Sequence, residues 1–232
     1  MNIENEINKA SVLLKKNNIK SAKLDSEILM SSVIQKSREF VILNLNQNLK
    51  KNYIYTFRKL IDKRSQGKPI AYLTGKKEFW KNEFNISEDV LVPRPETELI
   101  VEQVLKFSKN KNKLKILDIG VGSGCILLSI MEEKKRFQGV GVDINKKSLD
   151  MCKKNTIKLK LRNKIKFFKS DVDNFNYGKY DLIVSNPPYI NRLKLKYLEK
   201  DVAKFEPKIA LDGGLDGMSV IRKVIIKSSE LI

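Results

Sequence analysis

The run Leu117-Asp118-Ile119-Gly120-Val121-Gly122-Ser123-Gly124 constrains this chain more than any other feature. It closes an apolar strand predicted over 114–119 and opens a helix predicted over 125–134. Glycines at alternate positions let the backbone turn sharply and let a ligand approach the main chain. The next strand, 140–143, ends on an acid, Asp143, 23 residues after Gly120. Further strands are predicted over 165–168 and 180–185, with helices over 146–160 and 217–231. Strand and helix in alternation imply an α/β domain, a parallel sheet covered by helices.

Such sheets bind ligands in the crevice beyond the carboxyl ends of their strands. The spacing Gly-x-Gly-x-Gly differs from the Gly-x-Gly-x-x-Gly of dinucleotide folds. A carboxylate at Asp143 can accept both hydroxyls of a ribose. Together these read as an S-adenosylmethionine site. A nicotinamide site and a merely tight turn remain as alternatives. On the first reading Gly120, Val121, Gly122, Ser123 and Gly124 form the cradle. Asp171, after the third strand, can read an adenine amine or cap its own loop, and Val172 can pack on the adenine face.

The strand over 180–185 runs into Asn186-Pro187-Pro188-Tyr189. Two prolines directly after a buried strand make a rigid, non-helical loop. It presents one side-chain amide oxygen, a backbone carbonyl and an aromatic ring beside the cofactor. That combination suits a planar nitrogen carrying two hydrogens. Asn186 and the carbonyl of Pro187 each accept one N–H, and Tyr189 packs on the planar face. Catalysis of this kind rests on orientation and electrostatics.

Composition narrows the chemistry further. The 232 residues include no His, which removes His bases, His-dependent nucleophiles and His-ligated metals. Cys125 and Cys152 are too few for a four-thiolate zinc site, so no metal site is assigned. They suggest a reducing compartment, and the acidic N-terminus lacks the apolar core of a signal peptide, so the cytoplasm is expected. Cys125, beginning a helix, could carry a lowered pKa, although a packing role suits it better. No stretch is long and apolar enough to span a membrane. The net charge is +19, but 38 of the 46 basic residues are Lys, scattered along most of the chain. Lys, Asn and Ile are all heavily used, as codon bias would produce, so direct nucleic-acid binding is not assigned.

Residues 1–75 read as a small helical bundle. Ile3, Ile7, Ala10, Leu13 and Leu14 form one stripe; Leu24, Ile28, Leu29 and Ile34 a second; Tyr53, Phe57, Leu60 and Ile61 a third. Gly67-Lys68-Pro69 stops the last helix. Residues 76–95 read as a hairpin and linker carrying Phe79-Trp80 and Phe84, and residues 96–232 as the α/β domain. Thr97 is expected to cap the helix that contains Leu99, Ile100, Val104 and Leu105.

Taken together these residues resemble the bacterial release factor glutamine methyltransferase family. Gly67-Lys68-Pro69-Ile70-Ala71-Tyr72-Leu73-Thr74-Gly75, Val92-Pro93-Arg94-Pro95-Glu96-Thr97-Glu98, Glu206-Pro207-Lys208-Ile209-Ala210-Leu211 and Gly213-Gly214-Leu215-Asp216-Gly217 carry the match beside the two loops. The resemblance implies a Rossmann-like class I methyltransferase domain behind a helical module that holds the substrate. It implies methyl transfer from S-adenosylmethionine to the glutamine of the Gly-Gly-Gln loop of peptide chain release factors. Arg94 and Glu96 would lock the linker. Because Asn-Pro-Pro-Tyr is shared with DNA adenine methyltransferases, two other functions stay open. One is transfer to an exocyclic base amine, which needs a flipped base. The other is a paralogue that binds a partner without turnover. Complete sheets of this type continue beyond the last helix seen here, so the strand over 180–185 is expected at an edge.

Overall fold

The computed structural model describes all residues, Met1–Ile232. Two compact units form, Met1–Gly75 and Lys76–Ile232.

The first unit is helical: α1 (Ile3–Lys16), α2 (Ala22–Ile34), α3 (Arg38–Leu43), α4 (Lys51–Ser65) and α5 (Ile70–Thr74). Asn2 starts α1 by accepting the Asn5 amide at 3.0 Å. Glu4 and Glu6 in its first turn, and Lys15 and Lys16 in its last, complement the helix dipole. Ile3, Ile7, Ala10 and Leu14 pack against Leu29, Met30, Val41, Phe57 and Ile61. Leu13 and Leu24, expected on the apolar stripes, are instead exposed. In α2 the inward position belongs to Asp25, which accepts Arg64 Nε at 2.7 Å. The same guanidinium reaches the carbonyls of Gly67 and Lys68. Thus a buried ion pair, not Leu24, fixes how α2 meets α4. It also tethers the turn that sequence reads as a stop.

The second unit begins with the antiparallel hairpin β1 (Lys76–Phe79) and β2 (Asn82–Asn85). Then follow α6 (Glu98–Phe107), β3 (Lys115–Ile119), α7 (Cys125–Glu133), β4 (Gln138–Asp143), α8 (Lys146–Lys158), β5 (Ile165–Lys169), β6 (Leu182–Ser185), α9 (Lys200–Phe205) and α10 (Ser219–Leu231). The main sheet is wholly parallel in the order β5-β4-β3-β6. The chain steps outward from β3 to β5, then crosses back to lay β6 on the other side of β3. This reversal of strand order opens a crevice at the carboxyl ends of the strands. Leu117, Ile119, Val140, Val142, Phe175, Tyr180 and Leu231 form the core on one face. As expected, β6 is an edge strand. It starts at Leu182, two residues later than the strand predicted over 180–185, and the Tyr180 and Asp181 amides before it donate to the carbonyls of Leu231 and Lys115.

Candidate functional site

Strands β3 and β6 lie in register with Ile119 opposite Ser185. The loops that leave them therefore start side by side. Ser185 Oγ donates to the carbonyl of Ile119 at 2.6 Å and fastens the two strand ends together.

The glycine loop folds onto the end of β4. The Gly120 and Val121 amides both donate to the carbonyl of Val142, at 2.8 and 2.9 Å. The Gly122 amide donates to Asp143 Oδ2 at 3.0 Å, and the Asn145 amide to Asp143 Oδ1 at 2.8 Å. Asp143 thus shapes the loop as well as facing the crevice. Burial raises its pKa, and those two amides oppose the rise. Gly124 has φ +85°, and a Cβ there would meet Cys152 Sγ at 2.5 Å. Only glycine allows α7 to start so close to α8.

Gly120, Val121, Gly122, Ser123, Asp143, Asp171, Val172, Asn186, Pro187 and Pro188 line one cavity of about 340 Å³. Asp171 Oδ1 also accepts the Asp173 amide at 3.0 Å, so this side chain both faces the cavity and closes its own turn. Gly124 and Tyr189 stand outside the wall: the first is packed behind it, and the second is 64% exposed. The Tyr189 backbone is set by the loop 213–217. A Cβ on Gly217 would lie 2.6 Å from the Tyr189 carbonyl, and Ile190 exchanges hydrogen bonds with Leu211 and Gly213.

Thr97 does not cap α6. Its backbone is right-handed helical, φ −69° and ψ −19°, whereas a capping side chain needs an extended residue. Its hydroxyl lines the cavity and accepts Asn186 Nδ2 at 3.3 Å. Arg94 locks its segment as expected, through Nη2 to Glu206 Oε1 at 2.5 Å, and the Val92 amide donates to Glu206 Oε2. Glu96 is exposed and takes no part in that clasp.

Three buried groups have contacts that the motifs do not state. Asn155 donates to the carbonyls of Ser123 and Asn85 and accepts the Asn85 amide, tying hairpin, α8 and glycine loop together. Glu206 is the acid of the clasp. Asp118 is 1% exposed and neither of its oxygens has a hydrogen-bond partner. Burial, aided by the charge of Asp143, pushes its pKa up to about 7, against a smaller pull from the Leu127 amide in the first turn of α7. Its position just before the first glycine was a visible signal. Cys125 is not activated by its helix position: burial pushes its thiol up to about 12.

Models of two domains match the chain: the PrmC N-terminal domain over residues 7–75 and the methyltransferase small domain over 95–204. A release factor glutamine methyltransferase of Buchnera aphidicola subsp. Baizongia pistaciae is 38% identical, with 100% of this chain and 83% of that protein aligned. The chain belongs to the release factor glutamine methyltransferase family. The namesake enzyme of Clostridium botulinum is 37% identical across 95% of this chain and 79% of its own. A bifunctional methyltransferase of Rickettsia typhi is 34% identical, with 47% of its length aligned. Family membership makes the chain an S-adenosylmethionine-dependent methyltransferase with a class I sheet. No helix is long and apolar enough to cross a membrane.

Proposed function

We propose that this chain methylates the side-chain amide nitrogen of the glutamine in the Gly-Gly-Gln loop of peptide chain release factors, in the cytoplasm. The observation that carries the reading is the register of β3 against β6, which sets Asn186-Pro187-Pro188 and the glycine loop on one cavity. The family relation supplies the substrate class.

The residues fit S-adenosylmethionine, which is cationic at its sulfonium and its ammonium. Asp143 lies on the cavity wall, and the unpaired carboxylate of Asp118 is buried just before the loop. Gly120, Val121, Gly122, Ser123 and Gly124 would shape its seat, Asp143 would take the ribose, and Asp171 and Val172 the adenine. The donor supplies an electrophilic methyl on an already activated sulfur, so the transfer needs no Lewis acid.

The chain's own task is to make a poor nucleophile competent. An amide lone pair is delocalised into its carbonyl. Asn186 Oδ1 accepts one N–H of the glutamine amide and the Pro187 carbonyl accepts the other, which raises electron density on nitrogen and aims it; once nitrogen has bonded the methyl, its surplus proton is lost to solvent. Pro188 stiffens the loop, and Tyr189, outside the cavity wall, lies against the planar face once the glutamine enters. The helical unit, residues 1–75, holds the release factor, while the hairpin and linker, 76–95, precede the methyltransferase domain, 96–232.

Incubation with methyl-labelled S-adenosylmethionine and an unmethylated release factor should place label on the Gly-Gly-Gln peptide. A factor with that glutamine replaced by alanine should stay unlabelled. Label on an oligonucleotide but not on the factor would contradict the reading.

A further inference from the structure

An asparagine can accept a hydrogen bond from substrate only while Oδ1 is turned toward it. The terminal amide torsion has a broad, roughly two-fold profile, so that orientation must be imposed. Turned over, Nδ2–H would meet the substrate N–H donor to donor. The Asn186 side chain makes one hydrogen bond, from Nδ2 to Thr97 Oγ1. We propose that Thr97 is a positioning residue, which holds the Asn186 amide nitrogen against its hydroxyl so that Oδ1 faces the incoming glutamine amide. The inference rests on the reading of Asn186 as the acceptor of a substrate N–H.

Thr97 is fitted for this by its backbone. Because it occupies a helical φ/ψ well, its hydroxyl is spared from capping α6. Its segment is braced from below. The Thr97 amide donates to the Arg94 carbonyl at 3.1 Å, and Arg94 is clasped by Glu206, itself 5% exposed. The hydroxyl is therefore presented from a fixed point.

Asn186 is equally restrained except at its side chain. Ser185 is tied to the end of β3. Pro187 confines the backbone of the residue before it to extended conformations. What remains free is the side-chain torsion, and the bond to Thr97 removes that freedom. Thr97 thus acts through Asn186 without touching the reacting atoms.

The test compares Thr97→Val, which keeps shape and removes the hydroxyl, with Thr97→Ser, which keeps the hydroxyl. Turnover on the release factor, calorimetric binding of S-adenosylmethionine and the ¹⁵N-resolved side-chain amide of Asn186 are read in each. A neutral hydrogen bond of ordinary strength corresponds to about a fivefold population bias. Thr97→Val should lower kcat by about two- to fivefold, leave KM for the factor and cofactor affinity unchanged within error, and shift or broaden the Asn186 amide signals. Thr97→Ser should restore all of these. Wild-type kcat in Thr97→Val, or Thr97→Ser as impaired as Thr97→Val, overturns the inference. So does a parallel loss of cofactor binding. Asn186→Ala separates the two levels. If it is as active as wild type, the reading of Asn186 itself fails; if it is inactive while Thr97→Val is not, only the role of Thr97 fails.

Discussion

Asp118 and Asp143 lie near the ends of neighbouring parallel strands and live under opposite conditions. Both oxygens of Asp143 are bonded to amides, whereas those of Asp118 are buried without a hydrogen-bond partner. An unpaired carboxylate there penalises folding once it ionises. In the unfolded chain an Asp titrates near 4; in the fold Asp118 titrates near 7. Below pH 4 it is protonated in both states and costs nothing. Between pH 4 and 7 only the unfolded chain loses the proton, so stability falls as pH rises; above 7 the penalty is constant. Asp118→Asn should therefore raise the thermal midpoint of the cofactor-free protein at pH 8, by roughly 2–4 kcal/mol in unfolding free energy, and leave it nearly unchanged at pH 4. An equal change at both pH values would contradict the assignment. At this scale the sequence was readable where a residue is fixed by backbone chemistry. Gly120, Gly122, Asp143, Asn186 and Pro187 belong to motifs whose spacing brings them together, and all five line one cavity. Thr97 misled because a Thr before an apolar helix usually caps it, and the helical φ/ψ at this position is a tertiary outcome.

Among elements, the parallel strands were legible because continuous apolar runs bounded by glycine and acid leave few other choices. The ties between elements were not, since they depend on single polar side chains at long sequence separation. Asn155 is the plainest case, bonded across 70 residues to Asn85 and across 32 to Ser123. Asn155→Ala would strip partners from three backbone groups, each costing about 1–3 kcal/mol if left dry. Urea unfolding should show a loss of at least about 2 kcal/mol. Calorimetry should show weaker cofactor binding, because the Ser123 carbonyl belongs to the glycine loop. Full stability with full affinity would show that the hairpin and loop need no such tie. In the helical unit periodicity points Leu24 inward, yet Asp25 holds the inward position, where it pairs with Arg64. Arg64→Ala would leave a buried carboxylate unpaired and should destabilise α2 and α4 by about 3–5 kcal/mol, read as lost hydrogen-exchange protection there.

For the whole molecule, the strand order β5-β4-β3-β6 explains why the site stands where it does, and leaves β6 at an edge. Ile225 and Ile226 on α10 are exposed as well. Uncovered strand edges and apolar helix faces favour association, so light scattering of this chain should show a mass that grows with concentration; a monodisperse monomer at high concentration would count against that. The apolar run of β6 taken by itself suits a covered, central strand, so its edge position is a property of the assembled sheet, and the placement of Gly120 beside Asn186 likewise required the register itself. In the proposed function one face of the cavity seats the methyl donor and the Asn186 loop makes the acceptor amide reactive. A single-turnover measurement with the Asn186→Ala chain pre-saturated with labelled S-adenosylmethionine, and calorimetry to verify loading, tests it directly. The fully loaded variant should leave the glutamine of the release factor unlabelled while the wild-type chain labels it. Transfer at the wild-type rate by the loaded variant would contradict it.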